Sequence, residues 1–173
     1  MSWFPSRLFG WLLARPNLVC DPEVWAAGVH ELERRTLNGS RESGAFLLGK
    51  DVDSRKYILE FAFYDDIDPH ALDTGIVKFA GHCFPKLWAL CRKRGYSVVA
   101  DVHLHPAGYG QSPSDQENPV IPRAGHIAII IPHFGRRATE PGGIGIYEYL
   151  GNNRWADRTK KGSRFFAVTA GRT

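Results

Sequence analysis

Residues 103–115, HLHPAGYGQSPSD, gather side chains that could do chemistry. His103 and His105 stand at the end of YSVVADVHLH, which reads as a strand. Residues i and i+2 of a strand point to the same face, so the two imidazoles sit about 6–7 Å apart along the chain and can converge on one ion. Pro106, Gly108 and Gly110 let the chain turn back, and SPSD reads as a helix start that aims Asp115 at the histidines. Two histidines, a carboxylate and a water make a usual catalytic zinc site. Each part has a plainer reading. Two histidines can be ordinary half-buried strand residues, and Ser112-x-x-Asp115 is a respectable capping box. Their joint occurrence in one short stretch favours the metal. A hydrolase built there also needs a general base, and Glu42, just ahead of the apolar run GAFLLG, is the candidate.

The elements that must position these residues can be read along the chain. Its 173 residues, 43% hydrophobic and 23% charged, fit one globular domain. In CDPEVWAAGVHELERRTLNG, Asp21 caps a helix with Pro22 at its first position, Trp25, Val29 and Leu32 form its apolar stripe, and Asn38-Gly39 ends it. SGAFLLG and KYILEFAFY are strands joined by the turn-like GKDVDSRK. A second helical region is expected from Asp68-Pro69 to about Arg94, with Ile76, Ala80, Cys83, Leu87 and Cys91 on one stripe, kinked or split at Pro85. GHIAIIIPHF is a strand buried on both faces, and GIGIYEYL and RFFAVTA are two more strands. This order predicts an α+β, or mixed α/β, single domain whose mixed sheet is flanked by helices.

Composition narrows the partners. The net charge of +4 is scattered in short clusters with no nucleic-acid-binding motif, so nucleic acid is not expected as a partner. Three cysteines without a CxxC pair read as reduced core thiols and point to the cytoplasm. The apolar stretch within residues 1–20 is too short to span a bilayer, so no membrane is expected. It reads as a segment packing on the domain of residues 21–173 or on a partner.

ESGAFLLG followed by HLHPAGYGQSPSD resembles the JAMM/MPN+ zinc metalloproteases, also called JAB domains. The family pattern is a Glu before a short apolar strand and Gly, then HxHP, then SxxD, and the element order fits along most of the chain. The resemblance implies the MPN/JAB (cytidine-deaminase-like) architecture, with zinc on His103, His105 and Asp115. It implies that Glu42 deprotonates the attacking water and then protonates the leaving amine, and that Ser112 hydrogen-bonds the oxyanion. It implies cleavage after the C-terminal tail of a ubiquitin-like protein. The stretch QENPVIPRAGH is closer to small bacterial JAB proteins found with E1-, E2- and ubiquitin-like proteins, including those of antiphage operons. Leu104 departs from the usual Ser or Thr, and the spacing from His105 to Ser112 is one residue short. A rival register uses Ser114 and Glu117.

Other readings stay open. One is a zinc hydrolase of a sulfur-carrier or amino-acid adduct, and another is a non-catalytic MPN-like scaffold. An extended substrate tail could pair with a sheet edge. Tyr109 and the glycine-rich loop around Arg136 and Arg137 are candidate contacts, although a solvated loop serves as well. His126 and His133 read as structural hydrogen-bonding residues. Asp101, on the ligand face, reads as a strand-end charge in preference to a partner that holds a histidine tautomer.

Overall fold

The computed structural model describes residues 15–170, so most of the apolar N-terminal segment lies outside the described residues. The strands are β1 (Leu18–Cys20), β2 (Gly44–Val52), β3 (Arg55–Phe63), β4 (Ser97–Leu104), β5 (Ile127–Ile131), β6 (Gly145–Gly151), β7 (Arg154–Asp157) and β8 (Phe166–Val168). They form one mixed sheet in the order β7-β6-β5-β4-β2-β3-β1-β8. The helices are α1 (Pro22–Arg35), α2 (Tyr64–Ile67), α3 (Phe84–Arg94) and α4 (Pro113–Glu117). The chain is therefore a mixed α/β domain with one sheet between helical layers.

Helix α1 starts where a helix should. The Asp21 carboxylate accepts the Glu23 N–H at 2.9 Å, with Pro22 as the first helical residue. Trp25, Val29 and Leu32 are buried on one face of the sheet, against Leu47, Val102 and Leu104. The helix stops at Arg35, short of Asn38-Gly39, because Thr36 closes it and Leu37 and Asn38 turn left-handed. Leu87 and Cys91 of α3 pack on the other face, against Phe46 and Leu48. Burying a large apolar side chain is worth about 1.5–3 kcal/mol, so the two clusters hold the sheet from both sides.

The hairpin β2–β3 is longer than its apolar runs suggest. Only Asp53 and Ser54 turn, at φ of 51° and 62°. Two consecutive positive φ values give the tight turn whose twist matches that of the flanking strands.

The long helix expected from Asp68 to Arg94 does not form. After Asp68 the chain runs through turns, a 3-10 turn at Gly81–Cys83, and then α3 from Phe84. Buried Asp68 drives the departure: its carboxylate accepts the backbone N–H groups of His70 and Ala80, at 3.1 and 2.9 Å. Those bonds compete with helical ones. Pro85 falls in the first turn of α3, where a proline is tolerated, and Gly95 ends the helix at a φ of 67°. Strands β1 and β7 were not expected. Both are short, and β1 owes its place to parallel pairing with β3 and β8.

Candidate metal centre

Strand β4 lies between β5, parallel to it, and β2, antiparallel to it. His103 and His105 stand at its carboxyl end. The strand stops at Leu104, one residue earlier than the sequence suggests. His105 stays tied to the sheet because its N–H donates to the Ile131 carbonyl at 2.9 Å. Leu104 points the other way and is fully buried against the α1 face, which accounts for an apolar residue in that slot.

The imidazoles of His103 and His105, both buried, bring their Nε2 atoms to 2.9 Å. The Asp115 carboxylate meets them, with Oδ1 at 3.4 Å from His103 Nε2 and Oδ2 at 3.3 Å from His105 Nε2. Ligand bonds of 2.0–2.2 Å in a tetrahedron put neighbouring donors about 3.3 Å apart, so two imidazole nitrogens and one carboxylate fit one small divalent ion. Among the described residues these three form the group whose donor atoms all lie within 4.8 Å of one another. Ser114 and Glu117, the rival register, are exposed and stand outside that group.

His103 and Asp115 shift each other in opposite directions. Burial disfavours protonated His103, yet Asp115, Asp101 and Glu42 outweigh it and raise its pKa. Burial also works against ionised Asp115, but hydrogen bonds from His103 and His105 hold its carboxyl far below the usual carboxylate range.

The loop that carries Asp115 is anchored at several points. Ser112 and Asp115 form a complete capping box at the start of α4. The Tyr147 hydroxyl donates to the Tyr109 carbonyl at 3.1 Å, and Trp155 Nε1 donates to the Gln116 carbonyl at 3.1 Å. Gly145 on β6 makes room for this approach, since a Cβ there would collide with the Tyr109 carbonyl oxygen. On the other side the His105 carbonyl accepts the Phe134 N–H at 2.9 Å, and the Ala107 carbonyl accepts the His133 N–H at 3.1 Å. His133 and Phe134 both take left-handed backbone, at φ of 54° and 53°. Left-handed backbone is uncommon outside glycine, tolerated by His133 more readily than by the aromatic Phe134, and the bonds to the loop that carries Asp115 hold it in place. The glycine-rich loop that follows is tied to α1, through Arg136 to Glu33 at 3.3 Å and Trp25 Nε1 to the Thr139 carbonyl at 3.0 Å.

Glu42 sits at the entrance of β2, half-buried. Gly44 pairs with His103, and the Leu104 N–H donates to the Ser43 carbonyl at 2.9 Å, which carries the Glu42 backbone alongside His105. The Glu42 N–H donates to Gly75, and its Oε2 accepts the Val77 N–H at 3.3 Å. The turns that replace the expected helix therefore steady Glu42.

Asp101 is not a strand-end charge. It is buried on the ligand face, where Oδ1 meets His126 Nε2 at 2.5 Å and Oδ2 accepts the Tyr64 hydroxyl at 3.2 Å. It holds His126 and neither of the two converging histidines. His126 has the structural hydrogen-bonding place expected of it. Tyr64, Tyr147 and Trp155 carried no local signal in the sequence: their partners lie 37, 38 and 39 residues away.

No family model matches the chain. Among solved structures, it is similar to the solution structure of a protein from Desulfitobacterium hafniense, at 13% identity and a TM-score of 0.61 over 89% of this chain and 94% of that one. It is also similar to a solution structure from Salinibacter ruber, at 14% identity and a TM-score of 0.51 over 80% and 87% of the two chains. At such identities the likeness is one of fold. Among the described residues no helix is long and apolar enough to cross a membrane.

Proposed function

We propose that this chain is a zinc-dependent peptidase of the JAMM type, cutting an isopeptide or peptide bond after the C-terminal tail of a ubiquitin-like protein. The observation that carries the reading is the convergence of His103, His105 and Asp115 within 4.8 Å, with the Glu42 backbone alongside His105. Zinc, when bound, supplies a Lewis acid for the scissile carbonyl and lowers the pKa of water from 15.7 to about 7. Glu42 accepts the proton of the attacking water and returns it to the leaving amine. Ser112 accepts the Asp115 N–H through Oγ, which leaves its hydroxyl hydrogen free to donate to the oxyanion. In a bacterial ubiquitin-like conjugation system, antiphage or otherwise, such an activity would mature the modifier or remove it from conjugates. E1- and E2-like proteins would be its neighbours there, and the compartment would be the cytoplasm.

The test joins metal analysis to cleavage. Purified protein is expected to hold about one zinc per chain, lost in His105→Ala and Asp115→Ala and kept in Glu117→Ala. The zinc-loaded protein is expected to cleave fusions of ubiquitin-like proteins that end in an extended tail. Zinc-free protein after reconstitution would overturn the metal reading. Zinc without cleavage of any such fusion would keep the centre and move the substrate to a sulfur-carrier or amino-acid adduct.

A further inference from the structure

A second concavity lies at the opposite end of β4 from the metal centre. It is a groove of about 970 Å³ between α3, the first residues of β4, and the segment leading into β5. Six residues of strand separate Ser97 at the groove from His103, or about 20 Å. The groove therefore does not share the proposed catalytic site and does not depend on that reading.

The lining combines apolar surface with positive charge. Val98, Ile121 and the exposed ring of Trp88 form apolar walls. Arg92 and Arg123 stand in the groove, and neither is within ion-pair distance of a carboxylate among the described residues. Lys56, whose ammonium already donates to the Gly125 carbonyl, adds charge behind them, and Asp51 is the single acid of the lining. His126, nine-tenths buried, also lines it. Its Nε2 is taken by Asp101, and its Nδ1 has no hydrogen-bond partner among the described residues.

We propose that this groove binds an acidic segment of a partner polypeptide, with an apolar side chain seated on Trp88 and carboxylates on Arg92 and Arg123. Charge complementarity selects an anion: two guanidinium groups, unpaired among the described residues, face one acid, with the Lys56 ammonium held behind them on Gly125. A phosphate-bearing ligand fits less well. The C-terminal end of α3, at Gly95, faces the groove with the negative pole of the helix, which opposes a compact dianion more than spread carboxylates. A peptide backbone also supplies N–H groups for His126 Nδ1.

The test is a nuclear magnetic resonance titration of the full chain with a random glutamate–tyrosine copolymer, beside ADP as the phosphate probe. The copolymer is expected to shift the Trp88 indole N–H and the signals of Arg123 and Gly125. Affinity should fall at least tenfold in Arg92→Glu/Arg123→Glu and several-fold in Trp88→Ala. The charge-matched surface variant Lys160→Glu/Lys161→Glu should bind as the wild type does. Equal loss in both charge-reversal variants would mean unspecific attraction and overturn the proposal. Shifts from ADP alone at the same residues would overturn it in favour of a phosphate ligand.

Discussion

Ser112 and Asp115 hold each other twice. The Asp115 carboxylate accepts the Ser112 backbone N–H at 2.6 Å, and the Ser112 hydroxyl oxygen accepts the Asp115 backbone N–H at 3.2 Å. The same carboxylate faces both histidines. A capping box and the cluster that could hold a metal are thus one piece of geometry: the cap fixes the direction in which the carboxylate points.

Substitutions at Ser112 separate the two roles. Ser112→Ala removes the cap and is expected to cost about 1 kcal/mol of stability. Ser112→Asn keeps a capping side chain and should leave the melting temperature near that of the wild type. If the hydroxyl stabilises the oxyanion, both variants lose roughly 10²–10³ in kcat with metal content unchanged. Thermal melts, zinc analysis and turnover of a cleavable fusion check all three. Full turnover in Ser112→Asn would leave Ser112 as a cap only.

Glu42 is held by the turn at Gly75–Val77 and lies outside the converging set. Glu42→Gln keeps the shape and the bond from Val77 while removing the base. Zinc content and melting temperature are expected to stay at wild-type values while turnover falls at least 10²-fold. Loss of zinc in Glu42→Gln would instead make Glu42 a ligand.

The buried Asp101 satisfies two donors, His126 Nε2 and the Tyr64 hydroxyl. Asp101→Ala leaves both without a partner and is expected to destabilise the domain by about 1–3 kcal/mol for each donor left unpaired. Tyr64→Phe removes one bond and should cost about 1 kcal/mol. Urea unfolding of the three proteins gives the comparison, and a loss below 1 kcal/mol in Asp101→Ala would mean that water replaces the carboxylate.

Acid stability carries a contribution from Glu31. Hydrogen bonds from Arg34 and Arg35 lower its pKa from 4.5 to about 2, against a smaller opposing effect of burial. A folded-state pKa below the unfolded one stabilises at pH above the unfolded value. The contribution is lost as pH falls from about 4.5 towards about 2. Glu31→Gln should therefore lose stability at pH 6, and its deficit against wild type should shrink through that window. A constant deficit from pH 6 to pH 2 would assign the effect to packing.

The sequence made some of this legible and hid the rest for physical reasons. Local signals carried: Asp21-Pro22 starts α1, Pro85 lies in the first turn of α3, and the IAIII run is a strand buried along its whole length. The two histidines and Asp115 were legible because their spacing is local and a strand end followed by a capped turn leaves few other arrangements. Ile76 and Ala80 misled, since they fall at helical spacing with Cys83 and Leu87 by coincidence while Asp68 draws the backbone into turns. Strands β1 and β7 stayed hidden because three- or four-residue strands depend on their neighbours more than on their own composition. Asp101 was misread because its partners come from other elements, and burial by distant residues leaves no periodic mark.

The anchors of the ligand loop also set an order of events during synthesis. His103, His105 and Asp115 leave the ribosome well before the side chains that clamp their loop. Tyr147 follows Tyr109 by 38 residues, and Trp155 follows Gln116 by 39. A nascent chain halted before β6 already carries the capping box and the bonds of His105 and Ala107 to Ile131, His133 and Phe134, but lacks the two clamps from Tyr147 and Trp155. The final pinning of this loop is therefore an event of the released or nearly released chain, and C-terminal truncation before Tyr147 would remove both clamps without touching His103, His105 or Asp115.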